Sequence, residues 1–184
     1  VSTIAIIGAG NVGKALAGSF AAVGRDVVIS AAHPEHAQQA AATTGARAAA
    51  SNAEAVGGAD IVVLAVPASE FGPIAWELRG SLAGKIVVDA TNQPTPDLQD
   101  LDAAPTSAAE RLQALLPESR VVKAFNTAFA SRMAAPVVEG IALDGFVAAD
   151  DGEAKATVLA LVEDIGFRPV DAGPLANARA LEAI

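Results

Sequence analysis

The sequence contains no cysteine and no tyrosine, only two histidines, and few aromatic residues, 4% of its 184 positions. Each absence removes a chemistry. Without cysteine there is no disulfide framework, no thiolate nucleophile, and no cysteine-bound zinc or iron–sulfur cluster. Without tyrosine, the Tyr–Lys proton-transfer pair of short-chain dehydrogenases cannot be built. The two histidines, His33 and His36, fall in one short stretch. A histidine base of the lactate dehydrogenase kind therefore has no candidate. No catalytic side chain and no metal-ligand cluster stands out. Positive charge is also scarce, with 12 Lys and Arg against 21 Asp and Glu and a net charge of −9. Such a chain offers no basic surface to nucleic acid or to an anionic membrane. No apolar run approaches the roughly 20 residues of a membrane-spanning helix. Val1 leads directly into a strand pattern, so no signal peptide is expected. The expectation is a cytoplasmic protein. With so little aromatic bulk, the core must be built from Val, Ile, Leu and Ala.

What is present is organised around Val1–Val23, VSTIAIIGAGNVGKALAGSFAAV. Thr3–Ile7 is a β-branched apolar run, the pattern of a strand buried on both faces. Gly8, Gly10 and Gly13 follow at G-x-G-x-x-G spacing. Val12, Leu16, Phe20 and Val23 then recur at helical spacing. Glycines between a strand and a helix have separate tasks. Gly8 permits the tight turn, Gly10 lets a pyrophosphate approach the backbone, and Gly13 lets helix and strand lie close. The helix N-terminus adds free N–H groups and a partial positive charge. Dinucleotide binding is predicted.

The same alternation continues. Strands are predicted at Asp26–Ser30, Arg47–Ala49, Ile61–Val66, Lys85–Ala90, Arg120–Ala124, Gly145–Ala149 and Arg168–Asp171. Helices are predicted at Glu35–Thr44, Ser51–Val56, Phe71–Leu78, Ser107–Leu116 and Asp151–Ile165. Ser107 and Glu110 have the spacing of a capping box. Thr91–Pro96 reads as a polar loop and Asp97–Pro105 as an irregular, mobile excursion. Ala176–Ile184 is helical in pattern and stops without a cap, as a chain that continues would. One domain spanning residues 1–184 is expected, an α/β, Rossmann-like, doubly wound fold with a mainly parallel sheet and helices on both faces. Ligands of such sheets bind at the carboxyl ends of the strands.

The end of the second strand bears on cofactor choice. An NAD site usually places an acid there to hold the ribose 2′-OH. This chain has Ser30, Ala31, Ala32 and His33 instead. NADP(H) is therefore favoured over NAD(H), with Ser30 as a hydrogen-bond donor and His33 as a weak cation for the 2′-phosphate. Lys123 and Asp89 lie near strand ends and are read as structural. Hydride transfer between two bound cofactors fits what remains, since it depends on proximity and orientation rather than on a protein acid or base.

Five segments together resemble a known family: IAIIGAGNVG (Ile4–Gly13), AVP (Ala65–Pro67), DATNQ (Asp89–Gln93), VVKAFNT (Val121–Thr127) and VDAGPLANARALE (Val170–Glu182). The chain resembles the NADPH-dependent F420 reductases, and is also similar to the nucleotide domain of the STEAP metalloreductases. The resemblance implies hydride exchange between NADP(H) and a deazaflavin such as coenzyme F420, or a flavin (FMN or FAD). It also implies a homodimer. By position, Gly8, Ala9, Gly10, Asn11 and Val12 hold the pyrophosphate. Ser30, Ala31 and His33 face the 2′-phosphate. Ala65, Val66, Pro67, Asn92 and Ala124 line the nicotinamide. Asn126 and Thr127 offer hydrogen-bonding groups to the second ring. The chain departs from the family at Ala31-Ala32-His33, where relatives commonly carry Ser-Arg-Arg. Two other readings compete. One is a non-catalytic, redox-sensing dinucleotide module. The other is a hydroxyacid or imine reductase lacking its helical domain.

Overall fold

The computed structural model describes residues 2–92 and 106–183. The expected excursion Asp97–Pro105, and the Gln93–Pro96 part of the polar loop, lie outside the described residues. In chain order the elements are β1 (Thr3–Ile7), α1 (Asn11–Ala22), β2 (Asp26–Ser30), α2 (Pro34–Thr44), β3 (Arg47–Ala48), α3 (Asn52–Gly57), β4 (Ile61–Leu64), α4 (Phe71–Leu82), β5 (Ile86–Asp89), α5 (Ala108–Leu115), β6 (Arg120–Ala124), α6 (Ala130–Met133), β7 (Val137–Val138), β8 (Ile141–Ala142), β9 (Asp144–Ala149), α7 (Gly152–Asp164), β10 (Arg168–Asp171) and α8 (Ala178–Leu181).

Among the described residues, eight strands form one sheet in the order β10-β9-β6-β5-β4-β1-β2-β3. Neighbours pair in parallel except β6 and β9, which are antiparallel. The strand order reverses between β1 and β4, so the chain ends there part and leave a crevice. This is the doubly wound, Rossmann-like arrangement read from the alternation of strands and helices. Alternate residues of each strand feed two cores. Ile4 and Ile6 pack with Leu16, Phe20 and Val158, and Ala5 and Ile7 pack with Val56, Leu78 and Leu112. Burial on both faces explains why the strands read as continuous apolar runs.

Some boundaries differ from the sequence reading. β4 stops at Leu64, which releases Ala65–Pro67 into the crevice as loop. α4 continues to Leu82, because Leu78 and Leu82 both pack inward. The C-terminal helical pattern divides into a 3₁₀ turn at Leu175–Asn177 and the single turn of α8. α6 and the β7–β8 hairpin were not predicted. Both are too short for periodicity to register, and tertiary bonds hold them: Ser19 Oγ donates to Met133 O (2.8 Å), and Leu143 N donates to Pro136 O (2.8 Å).

The capping box forms as its spacing predicts. Ser107 Oγ accepts from Glu110 N, while the Glu110 carboxylate accepts from Ser107 N. The same carboxylate receives two hydrogen bonds from Arg179 on α8, at 2.8 and 2.7 Å. The Arg179 guanidinium, with the Ser107 donors, lowers the Glu110 pKa from 4.5 to about 2. A carboxylate depressed by folding stabilises the native state above its ordinary pKa and loses that effect as pH falls toward the folded value. Unfolding midpoints in urea should therefore drop between about pH 4.5 and 2. Glu110→Gln should remove part of that dependence, and an unchanged pH profile would dissociate this contact from acid stability.

Candidate functional site

The glycine loop is built by close packing. Gly8 lies at φ +112°, and a Cβ there would fall 2.3 Å from Ala65 O. A Cβ on Gly13 would fall 1.8 Å from Gly8 O, so helix and strand can touch only without one. Gly8 N donates to Ser30 O (2.9 Å), which ties the turn to β2. Gly10 is different, because nothing lies within 4 Å of a Cβ built on it. It is also the N-cap of α1, with no side-chain cap and no acid in the first turn. Among the described residues, the first N–H groups of this 12-residue helix thus face an open cradle with nothing of their own to bind. That combination fits a pyrophosphate: bare donors, the positive end of a helix, and room beside the backbone.

The cradle opens into a cavity of about 680 Å³, lined by Gly10–Val12, Ala65–Pro67, Ala90–Asn92 and Phe125–Ala130. These segments lie at the carboxyl ends of β1, β4, β5 and β6, and the volume suits a small-molecule site. None of the lining residues carries a titratable side chain. Among the described residues, no group of three or more His, Asp or Glu is placed to hold a metal ion.

The far wall is shaped by Phe125, which has φ +68°. A bulky side chain in this left-handed region costs on the order of 1–3 kcal/mol. The Phe125 ring offsets part of that cost by packing edge-on against Phe20, with centroids 5.9 Å apart at 82°. The resulting bend brings Asn126 against Asn92. Asn126 Nδ2 donates to Asn92 Oδ1 (2.8 Å) and to Leu181 O (2.7 Å), and Asn92 Nδ2 donates to Asn126 O (3.0 Å). Two acceptors around Nδ2 fix the orientation of the amide. Its Oδ1 is buried and has no hydrogen-bond partner among the described residues. An orphaned buried acceptor costs about 1–3 kcal/mol, and a ligand N–H would satisfy it.

Behind this wall lies a buried charge cluster. Lys123 Nζ pairs with Asp89 Oδ2 (3.0 Å) and Glu182 Oε1 (2.9 Å), and donates to Thr91 O. Asp89 also accepts from Thr91 N (2.9 Å) and Thr91 Oγ1 (2.7 Å). Glu182 accepts from Ala108 N (2.9 Å) and Ala109 N (3.3 Å) at the start of α5. Burial pushes the Asp89 carboxyl above its usual range, opposed by the Lys123 ammonium and the Thr91 hydrogen bonds. Lys123 and Asp89 are fully buried. Neither lines the cavity.

The structure brings together Gly10, Asn11, Val12, Ala65, Val66, Pro67, Asn92, Asn126 and Thr127. Gly8 and Ala9 lead into the same loop. Ala124 does not line the cavity; it is fully buried in the core and Phe125 takes its place. Ser30, Ala31 and His33 lie outside the cavity, at the end of β2. Ser30 is fully buried and its hydroxyl donates to Asn52 Oδ1 (2.8 Å). β2 is covered on both faces up to its last residue. His33 and His36 remain beside that corner, rings 5.4 Å apart, with Glu35 3.9 Å from His33 Nδ1. The sequence reading missed Ala128, Phe129 and Ala130. No motif marks them, and they line the cavity only because of the Phe125 bend and α6.

Residues 3–93 match a family model described as coenzyme F420-dependent NADP oxidoreductase. The chain is 34% identical to the F420-dependent NADP reductase of Methanothermobacter thermautotrophicus, covering 100% of this chain and 86% of that protein. It is 32% identical to rat metalloreductase STEAP3 over 98% of this chain, but spans only 36% of the length of that protein. The solved structure of a proposed F420-dependent NADP reductase from Arthrobacter sp. FB24 superposes with a TM-score of 0.86 at 30% identity. That match covers 99% of this chain and 89% of the other.

Proposed function

Because this chain belongs to the family of coenzyme F420-dependent NADP oxidoreductases, we propose that it transfers a hydride between NADP(H) and a deazaflavin such as F420, or a flavin. Its class, an NADP-dependent oxidoreductase, follows from the family. The second redox partner is the step beyond it. The observation that carries the proposal is a cavity that joins an anion cradle to a buried amide acceptor and has no titratable side chain among its described lining residues. Bound NADP(H) would supply or receive the hydride. The residues here bind and orient. The N–H groups of Gly10–Val12 hold the pyrophosphate, Ala65–Pro67 wall the crevice, and Asn126 Oδ1 accepts an N–H from a ring. With no acid or base among the described residues that line the cavity, rate comes from alignment and exclusion of water. A homodimer acting in the cytoplasm completes the reading. The homodimer is supported by the family resemblance, and sedimentation of the purified protein tests the stoichiometry.

Spectrophotometric oxidation of NADPH with F420, FMN and FAD in parallel tests the reading. Turnover with at least one is expected. NADPH binding without turnover on any of them would replace the enzyme by the redox-sensing module.

A second experiment addresses the 2′-phosphate corner. His33 and His36 lie beside the end of β2, with their rings 5.4 Å apart. His33→Ala should weaken the preference for NADPH over NADH. Tighter binding of NADH than of NADPH by the wild type would overturn the cofactor assignment.

A further inference from the structure

Phe129 is 84% exposed, yet it lines the cavity. Its backbone is well held. It is the N-cap of α6, Arg132 N donates to its carbonyl (2.8 Å), and α6 is tied to α1 by the bond between Ser19 and Met133. A rigid backbone thus presents an apolar aromatic ring to water at the cavity mouth. The floor is formed by buried residues, Ala90, Thr91, Phe125 and Asn126. In the functional reading above, a dinucleotide anchored through its pyrophosphate at Gly10–Val12 would leave the exposed ring of Phe129 to a second ring.

We propose that Phe129 stacks on the second redox ring and selects planar, tricyclic acceptors, deazaflavin or flavin, over smaller ones. This rests on the functional reading above. The chemistry is the preference of an aromatic face for another flat ring, together with the apolar area removed from water. Phe129 therefore acts on acceptor affinity, and leaves the dinucleotide site unchanged.

The test compares wild type with Phe129→Ala, Phe129→Leu and Phe129→Tyr. Dissociation constants for F420 and for FMN are measured by equilibrium ultrafiltration in the presence of NADP⁺, alongside KM for acceptor and for NADPH. Phe129→Ala should weaken acceptor binding about tenfold, Leu should recover part of the loss, and Tyr should restore it. Affinity for NADPH should stay within about twofold of wild type. The F420 and FMN arms show which ring the mouth favours. Unchanged acceptor affinity in Phe129→Ala overturns the proposal, as does an equal loss for NADPH. A changed sedimentation coefficient with unchanged acceptor affinity overturns it too, in favour of a contact between copies. Wild-type protein that reduces neither F420 nor a flavin overturns the functional reading, and this proposal with it. Wild-type turnover with an unimpaired Phe129→Ala overturns this proposal alone.

Discussion

Gly10→Val should fold and fail to bind NADPH. The backbone at Gly10 is extended, at φ −75° and ψ −169°, which valine adopts without strain. A Cβ there meets no protein atom within 4 Å, so the core is untouched. Loss of glycine at an N-cap costs about 1 kcal/mol or less. The branched side chain, however, fills the space through which a pyrophosphate reaches the α1 N–H groups. Losing two or three charge-assisted hydrogen bonds corresponds to at least about a hundredfold in affinity. Far-UV circular dichroism and a urea midpoint report the fold, and isothermal titration reports NADPH. Unchanged NADPH affinity in a folded variant would place the pyrophosphate elsewhere. Gly13→Ala is the contrasting control: its Cβ would collide with Gly8 O at 1.8 Å, so it should lose the fold along with the binding.

Removing Lys123 should produce the largest loss of stability and spare the chemical step. Lys123→Ala leaves Asp89 and Glu182 as buried carboxylates without their shared cation. Breaking a buried pair in this way costs about 3–5 kcal/mol, a large share of the stability of a typical domain. Neither Lys123 nor Asp89 faces the cavity, so neither should be needed as acid or base. Single-turnover transfer from 4-deuterated NADPH, measured below the unfolding midpoint, should persist in Lys123→Ala and Asp89→Ala. Asn126→Leu should be far more damaging to transfer, since it removes the ring acceptor and the bond to Asn92 together. Loss of the chemical step in Lys123→Ala or Asp89→Ala with both cofactors still bound would require a side-chain acid or base and end the proximity mechanism.

Chemistry contained within a few residues was legible before the structure. The strand–glycine–helix order and the Ser107–Glu110 capping box each depend on local spacing. The mainly parallel sheet followed from alternating strands and helices. Long-range choices were not legible. Nothing in Asp144–Ala149 states that it runs antiparallel to β6, because strand direction is decided by how the chain returns. Glu182 lies far along the chain from Lys123, and no pattern in either segment announces the pair. The burial of Ser30 was not legible either, since a strand covered on both faces buries even its terminal hydroxyl. Phe129 gave no signal, since its position depends on the left-handed turn at Phe125, a conformation that phenylalanine rarely announces.

The bond from Asn126 to Leu181, across 55 residues, has a consequence for biosynthesis. Ribosomes add about 5–20 residues per second, so several seconds separate the two partners as the chain emerges. During that interval β1, β2, β4, β5 and β6 are already available to pair, while the amide wall lacks one of its supports and Lys123 lacks one of its two carboxylates. The nascent chain can thus hold much of its sheet before the acceptor wall is fastened. A product clipped ahead of Leu181 would stay in that state, with the glycine cradle in place and the facing wall slack.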